Sequence, residues 1–188
     1  VVADILRPTY GPRGLDKMLY NPVDGRTSVT NDGAKIVAEL MIKHPAGKML
    51  AAMAESQENS CGDGVTGSIL LSAELLIEAG RLLEKGLHPL TVIDGYNKAC
   101  LVASNTISEL ATAPTPDSLE QVAITSLTGK GAEGAAEVLS KMIVEALNTV
   151  EADADFITMH KTNVGSLVDS KLIHGIVVRR RVLLDSLP

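Results

Sequence analysis

The sequence has 188 residues, of which 45% are hydrophobic, 21% are charged and only 2% are aromatic, with a formal net charge of -6. These values are typical of a globular protein with an aliphatic core, and the negative charge argues against binding to a nucleic-acid backbone. No apolar run reaches the roughly 18 residues of a membrane helix, and Cys61 and Cys100 form neither a CxxC motif nor a disulfide framework. We therefore expect a protein of the reducing cytoplasm whose partners include neither nucleic acid nor membrane.

The start of the chain is predicted to consist of short elements joined by turns. Because the first residue is Val1 and VVADIL already has a helical pattern, we expect the chain to begin partway through its natural sequence. The turn signal NPVDG lies between two short strands, which favours a hairpin. In chain order the expected elements are the end of a helix over Val1–Thr9, strands over Lys17–Tyr20 and Thr27–Thr30, and a short helix that ends at Glu39.

Long helices are expected to dominate the rest of the chain. The sequence PTPD at 114–117 is the clearest boundary, because its prolines and aspartate separate two helical patterns. Residues before it are nearly all helical and those after it are mixed, so two domains are expected. The predicted helices run from His44 to near Ser60, Val65 to about Lys85, Pro89 to Ala111, Ser118 to Thr128 and Glu133 to Val150, and strands are predicted over Asp155–His160 and Leu172–Val178.

The sequence CGDGVTGS at 61–68 has the residues of an anion site that also contains a carboxylate. Glycines on both sides of Asp63 allow positive φ and close approach to a ligand. Thr66 and Ser68 follow in the first turn of a helix, where N–H groups and the helix dipole attract anions. An aspartate would repel phosphate unless a divalent cation such as Mg²⁺ joined the two, so the pattern favours a site for a nucleotide and its metal.

Other interpretations of this loop remain open. It is not a P-loop, because Ser68 stands where that motif requires lysine. Taken alone, the loop is more often a helix start, with Asp63 as a capping residue and the glycines shaping a turn.

Two further loops have similar chemistry. TYGPRG at 9–14 is a turn stiffened by glycine and proline that could wall a pocket or serve only as a turn. TNDG at 30–33 places Asp32 at the start of a helix directly after a strand. Asp32 could be a simple N-cap, or a carboxylate that orients or deprotonates an attacking water.

Together these loops resemble a known family, the chaperonins, and most closely the group II type of archaeal thermosomes and the eukaryotic cytosolic chaperonin. The resemblance covers nearly the whole chain in matching order and spacing. The segments that carry it are GPRGLDKML (11–19), VTNDGAKI (29–36), HPAGKM (44–49), GDGVT (62–66), HPLTVIDGY (88–96), TSLTGK (125–130) and LIHGIVV (172–178).

The resemblance implies a chaperonin-like but incomplete chain, the N-terminal part of a subunit that binds ATP and Mg²⁺. A mainly α equatorial ATPase domain would occupy residues 1–113, a smaller α+β intermediate domain 114–176, and the start of the apical domain 177–188. Asp63 would be the Mg²⁺ ligand and Asp32 would activate the hydrolytic water. The residues implied around the nucleotide are Tyr10, Gly11, Pro12, Gly62, Gly64, Val65, Thr66, Gly67, Ser68 and, in a nucleotide-sensing loop, Lys130.

The implied function is an ATP-dependent chaperone subunit that assembles with other subunits into a stacked double ring and folds unfolded polypeptides. Two departures leave an alternative open, a holding or structural subunit with little or no ATPase activity. The first departure is Val65, which replaces the first threonine of the usual GDGTT. The second is that the sequence lacks most of the apical domain and the C-terminal halves of the intermediate and equatorial domains, which in the family carry a second catalytic aspartate. Lys130 could equally be a solvated loop lysine.

Overall fold

Helices make up most of the chain in the computed structural model, which describes residues 1–11, 13–23 and 25–178. Pro12, expected beside the nucleotide, and residues 179–188, in the segment expected to start the apical domain, lie outside the described residues. The chain divides into two compact units, Val1–Ala113 and Pro114–Pro188. The elements of the first unit are α1 (Val2–Leu6), a 3-10 turn (Arg7–Thr9), β1 (Lys17–Tyr20), β2 (Thr27–Thr30), α2 (Gly33–Glu39), α3 (Pro45–Cys61), α4 (Val65–Glu84) and α5 (Pro89–Leu110).

The predicted hairpin is confirmed. β1 and β2 pair in antiparallel register, with Lys17 opposite Thr30 and Tyr20 opposite Thr27. Next to the pair, the Asn21 N–H donates to the carbonyl of Arg26 at 2.9 Å. Because β2 ends at Thr30, it is followed almost directly by Asp32 and the start of α2.

Proline at the first helical position and a polar residue before it fix where the long helices begin. His44 precedes α3, and its Nδ1 accepts from the N–H of Ala46 at 3.2 Å. His88 precedes α5 and accepts in the same way from Leu90. These caps confirm the predicted helix starts. The helix α4 differs, because its N-cap residue is a glycine, Gly64, which has no side chain to cap it.

The core of the first unit is aliphatic, as the composition predicts. It gathers one face of each of the helices α1 to α4, and Leu6, Ile36 and Ile69 are completely buried. Burying such a side chain stabilises the fold by about 1.5–3 kcal/mol. Because Ile36 lies in the first turns of α2 and Ile69 in the first turns of α4, this core holds the starts of the two helices side by side.

The helix α5 packs against other described residues of the first unit only near its start. Val92 is buried, and the hydroxyl of Tyr96 donates to the carbonyl of Leu75 on α4 at 2.6 Å. Farther along, Ile107 is 68% exposed. Both cysteines are exposed, Cys61 at the end of α3 and Cys100 on the exposed part of α5.

The second unit contains two packed helices, α6 (Pro116–Leu127) and α7 (Ala136–Thr149), which confirm the predicted helices. A capping box of Thr115 and Ser118 starts α6 at the predicted PTPD boundary. Ser140 of α7 is completely buried, and its hydroxyl donates to the carbonyl of Glu137.

The two strands predicted in the second unit are wrong. The Asp155–His160 segment contains part of a 3-10 turn, Ala154–Phe156, and neither it nor Leu172–Val178 forms a strand. A strand requires a neighbouring strand for its backbone groups, and within the described residues the only sheet is the β1–β2 pair; Phe156 and Ile176 are 76% and 90% exposed. The mainly helical prediction is confirmed, whereas the β part of the expected intermediate domain is not observed among the described residues.

Candidate functional site

The start of α4 contacts two of the loops that the sequence singles out. A Cβ built on Gly33, at the start of α2, would collide with Oγ1 of Thr66 and lie 3.1 Å from the Thr66 backbone nitrogen. A Cβ built on Gly67 would lie 3.4 Å from the hydroxyl of Tyr10. The TYGPRG, TNDG and GDGVTGS segments therefore meet at one place, although they are far apart in sequence.

The loop between α3 and α4 makes its sharp turn with two left-handed glycines. Gly62 has φ +66° and ends α3 through its N–H, which donates to the carbonyl of Glu58 at 2.8 Å. Gly64 has φ +82°, and its carbonyl accepts the N–H of Ser68 at 3.0 Å, which opens α4. Both conformations disfavour residues with a side chain. Asp63 is held between them, with an exposed side chain.

The N-cap of α4 is Gly64 and not Asp63, so the interpretation of Asp63 as the N-cap residue is wrong by one position. Gly64 has no side chain with which to cap the helix. The first N–H groups of any α-helix have no acceptor within the helix, and here they belong to Val65, Thr66 and Gly67. Together with the helix dipole they form the kind of helix start that binds phosphate.

Asp32 does serve as an N-cap, which was one of its two predicted roles. Its Oδ1 accepts from the N–H of Ala34 at 3.0 Å, and its own N–H donates to the hydroxyl of Thr30 at 3.1 Å. The side chain remains exposed. Asp32 also borders a groove of about 750 Å³ between α2 and α3, to which Lys35, Lys48 and Glu58 contribute.

Val65 lies at the site through its backbone only. Its side chain is 4% exposed and belongs to the core cluster with Leu6 and Ile36. The replacement of threonine by valine therefore places a methyl group in the core. The side chain that distinguishes this loop from the usual GDGTT is therefore packed in the core.

An ion pair attaches the segment before Tyr10 to α4. Arg7 donates to Glu74, and this hydrogen bond, with the attraction between the charges, raises the pKa of the Arg7 guanidinium above its usual value. Both side chains are about half exposed, so the pair contributes little stability by itself. It does restrict where the turn that carries Tyr10 and Gly11 can lie.

Lys130 belongs to the second unit and not to the unit that holds the other candidate residues. It lies in a turn after α6 between Gly129 and Gly131, whose φ angles are +76° and +72°. The N–H of Gly129 donates to the Glu133 carboxylate at 2.7 Å. Its predicted role in sensing nucleotide stays a prediction.

One residue of the site was missed from the sequence. The side-chain amide of Gln57, on α3, donates to the carbonyl of Asp63 at 2.9 Å. A Cβ built on Gly64 would lie 3.3 Å from the same amide nitrogen. A glutamine in the middle of a helical pattern carries no local signal that could identify it, because the contact depends on the turn that follows.

The carboxylates near the start of α4 suit a cation that is bound partly by phosphate oxygens better than a cation that is bound by protein side chains alone. Among residues 1–11, 13–23 and 25–178, no group of three or more His, Cys, Asp and Glu side chains could hold a metal ion. Mg²⁺ is commonly held by one or two carboxylates together with substrate phosphates and water. Asp63, next to the phosphate-binding type of helix start at Gly64, meets that requirement.

Comparison with known proteins gives the family. Residues 2–188 match the TCP-1/cpn60 chaperonin family. Thermosome subunit alpha of Halobacterium salinarum is 40% identical over 194 residues, covering 100% of this chain and 34% of the relative. Thermosome subunit alpha of Methanothermobacter thermautotrophicus is also 40% identical, and a thermosome subunit of Methanothermococcus thermolithotrophicus is 38% identical.

The chain spans about a third of the length of these relatives while all of it is matched. No helix within the described part of the chain is both long and apolar enough to cross a membrane. The order of the glycine-containing segments, the helical fold and the family match agree, and the chain belongs to the TCP-1/cpn60 chaperonin family.

Proposed function

We propose that this chain is the nucleotide-binding part of an ATP-driven chaperonin subunit. The observation that carries the proposal is the meeting of three glycine-containing loops at the start of α4. Because position 33 is a glycine, Thr66 can pack closely against it, and because position 67 is a glycine, Tyr10 can do the same there. Glycines at 62 and 64 permit the turn that presents Asp63.

Each residue of the candidate site has a distinct part in this proposal. The N–H groups of Val65, Thr66 and Gly67 bind phosphate oxygens at the start of α4, with the hydroxyl of Ser68 beside them, and the glycines at 62 and 64 let the backbone come close. Tyr10 and Gly11, with Pro12 outside the described residues, border the nucleotide. The carboxylate of Asp63 binds Mg²⁺, which when present neutralises charge on the phosphate oxygens.

Asp32 is proposed to orient the attacking water. A carboxylate that accepts a hydrogen bond from water aligns it and can accept its proton, which contributes typically 100-fold or more to a hydrolysis rate. The N-cap hydrogen bond from Ala34 holds this carboxylate at the start of α2, and the contact of Gly33 with Thr66 holds the start of α2 against α4.

The activity of the intact protein is also a proposal, since the chain spans about a third of its relatives. Those relatives are named as thermosome subunits, which supports assembly with other subunits. We propose a stacked double ring in the cytoplasm in which ATP hydrolysis closes a chamber around unfolded polypeptides.

The test is the release of phosphate by the intact assembled protein, with and without Mg²⁺. Asp63→Asn removes the charge that binds the cation and should lower Mg²⁺-dependent turnover by about 100-fold or more. Asp94→Asn, an exposed aspartate that pairs with Lys98 on α5, is the matched control and should hydrolyse normally. Normal turnover by Asp63→Asn would refute the metal role. If the unmodified protein released no phosphate, the holding-subunit alternative would replace the proposal.

A further inference from the structure

The contact between Gln57 and the loop that carries Asp63 joins a helix that packs in the core to the turn between α3 and α4. Gln57 is partly buried on α3, three residues after Ala54, which is 1% exposed in the core. Core packing at Ala54 therefore fixes the helical turn from which the Gln57 side chain extends. Its amide reaches past the end of α3 to the carbonyl of Asp63, six residues farther along the chain.

The carbonyl of Asp63 belongs to the peptide that joins it to Gly64. Gly64 has φ +82° and ψ +6°, the angles of the third residue of a type II turn. A type I turn has φ near -90° and ψ near 0° at the same residue, and it differs mainly by a rotation of the preceding peptide plane. Glycine adopts both conformations readily, so Gly64 alone does not select between them.

A hydrogen bond to the Asp63 carbonyl opposes that rotation. The peptide plane cannot turn over without breaking a 2.9 Å bond to an amide anchored on α3. Turning over this peptide plane would reverse the direction of the Gly64 N–H, which lies between Asp63 and the first turn of α4. A rotation about the Cα–C bond of Asp63 that the next bond did not compensate would move the first N–H groups of α4 relative to the Asp63 carboxylate. The Gln57 contact therefore fixes the relation between the carboxylate and the helix start.

We propose that Gln57 is a positioning residue for the Asp63 carboxylate, which it sets in the direction needed for a cation that accompanies bound phosphate. This inference rests on the proposed function of the loop. Gln57 itself touches neither nucleotide nor metal. Outer residues that orient a metal ligand typically account for 10- to 100-fold in metal affinity.

The experiment compares binding of a non-hydrolysable ATP analogue to the intact assembled protein with and without Mg²⁺. Gln57→Met keeps the length of the side chain and removes its amide donor. Gln57→Glu keeps the shape and replaces the donor by an acceptor. Gln121→Met, the same change at an exposed position of α6, is the matched control. Thermal unfolding of each variant and amide hydrogen exchange of residues 62–68 are measured in parallel.

We expect Gln57→Met to bind the metal-free analogue with unchanged affinity and to lose about tenfold or more of the affinity gained on adding Mg²⁺. Amide exchange in residues 62–68 should rise, whereas the unfolding temperature should fall little. Gln57→Glu should lose at least as much of the Mg²⁺ effect, and Gln121→Met none of it.

Different results separate the failure of this inference from that of the proposed function. If the unmodified protein gains no affinity with Mg²⁺, the metal role of Asp63 fails, whatever the variants do. If the unmodified protein gains it and both Gln57 variants retain it in full, the positioning role is refuted. If both variants unfold, or lose metal-free and Mg²⁺-bound affinity equally, Gln57 acts only as a structural residue and the inference is likewise overturned.

Discussion

Gly33 and Thr66 approach so closely that no side chain fits between them. A Cβ on Gly33 would collide with the hydroxyl oxygen of Thr66 and would lie 3.1 Å from the Thr66 nitrogen and 3.2 Å from its Cα. The contact holds the start of α2, which is capped by Asp32, against the start of α4, which follows Asp63. This contact is what turns two separate loops into one candidate site.

Gly33→Ala should therefore separate the two helix starts. The added methyl group meets backbone atoms as well as a hydroxyl, so local adjustment of one side chain cannot relieve the overlap. We expect a loss of about 1–3 kcal/mol in the free energy of unfolding and weaker binding of Mg²⁺·nucleotide. Denaturant unfolding and nucleotide titration of the intact protein measure the two effects.

Two companion variants give this result its meaning. Gly33→Ala combined with Thr66→Ala removes the hydroxyl and should recover part of the lost stability, which a double-mutant cycle reports as coupling. Gly95→Ala, within α5, meets no atom within 4 Å and should stabilise the protein by about 1 kcal/mol. Equal and neutral effects of Gly33→Ala and Gly95→Ala would contradict the close approach.

The local features of this chain were predictable because short-range chemistry decides them. The hairpin around NPVDG, the N-cap at Asp32 and the helix start at PTPD each depend on residues within a few positions of one another, and each is confirmed. The glycines around Asp63 likewise indicated the turn that the structure contains.

The remaining features depend on packing between segments that are distant in sequence. The contact of Gly33 with Thr66 follows from how α2 and α4 share the core around Ile36 and Ile69, which no pattern in either segment specifies. The strand predicted over 155–160 failed for the same reason, since apolar residues form a strand only beside a partner. The side chain of Val65 could be assigned to the core only when α1 and α2 were in place.

Substitution of Asp32 can separate its role as a helix cap from its proposed role in orienting the attacking water. Asn caps helices about as well as Asp, so Asp32→Asn should keep the bond from Ala34 and change the free energy of unfolding by less than about 0.5 kcal/mol. The neutral amide cannot accept a proton from water, and turnover should fall by about 100-fold with nucleotide binding retained. Phosphate release and nucleotide titration give the two readings.

Asp32→Ala is the companion variant, because it removes the cap as well as the charge. It should add a loss of about 1 kcal/mol of stability to the same loss of turnover. Turnover by Asp32→Asn at the unmodified rate would leave Asp32 with its structural role alone.

Substitution of Gly67 by alanine is expected to stabilise the fold and at the same time to weaken nucleotide binding. It lies in the first turn of α4, where alanine favours the helix by about 1 kcal/mol. The new methyl group would lie 3.4 Å from the Tyr10 hydroxyl, a contact that a small shift of the ring can accommodate. Gly67→Ala should therefore raise the unfolding temperature while the methyl group obstructs phosphate at the helix start and lowers nucleotide affinity.

Tyr10 provides the control for Gly67, because Tyr10→Phe keeps the ring and removes only the hydroxyl oxygen nearest the glycine. With Gly67→Ala in the same chain, it should leave more room for the methyl group and add to the gain in stability. Its effect on affinity tells whether obstruction of the helix start or displacement of the ring weakens binding. Unchanged affinity in Gly67→Ala would mean that phosphate does not approach this part of α4.

Val65 is the position where the sequence and the structure lead to opposite expectations. If its side chain faced phosphate, Val65→Thr would restore a hydroxyl there and strengthen nucleotide binding. The structure buries that side chain with Leu6 and Ile36, so the same hydroxyl would enter the core and cost about 1–3 kcal/mol unless it found a partner. We expect a lower unfolding temperature and an affinity for Mg²⁺·nucleotide that changes by less than about twofold.

Val65→Ala, which loses packing without adding a polar group, serves as the control for stability. An increase in affinity for Val65→Thr alone would show that the residue faces the ligand and would return the weakened-ATPase alternative to consideration.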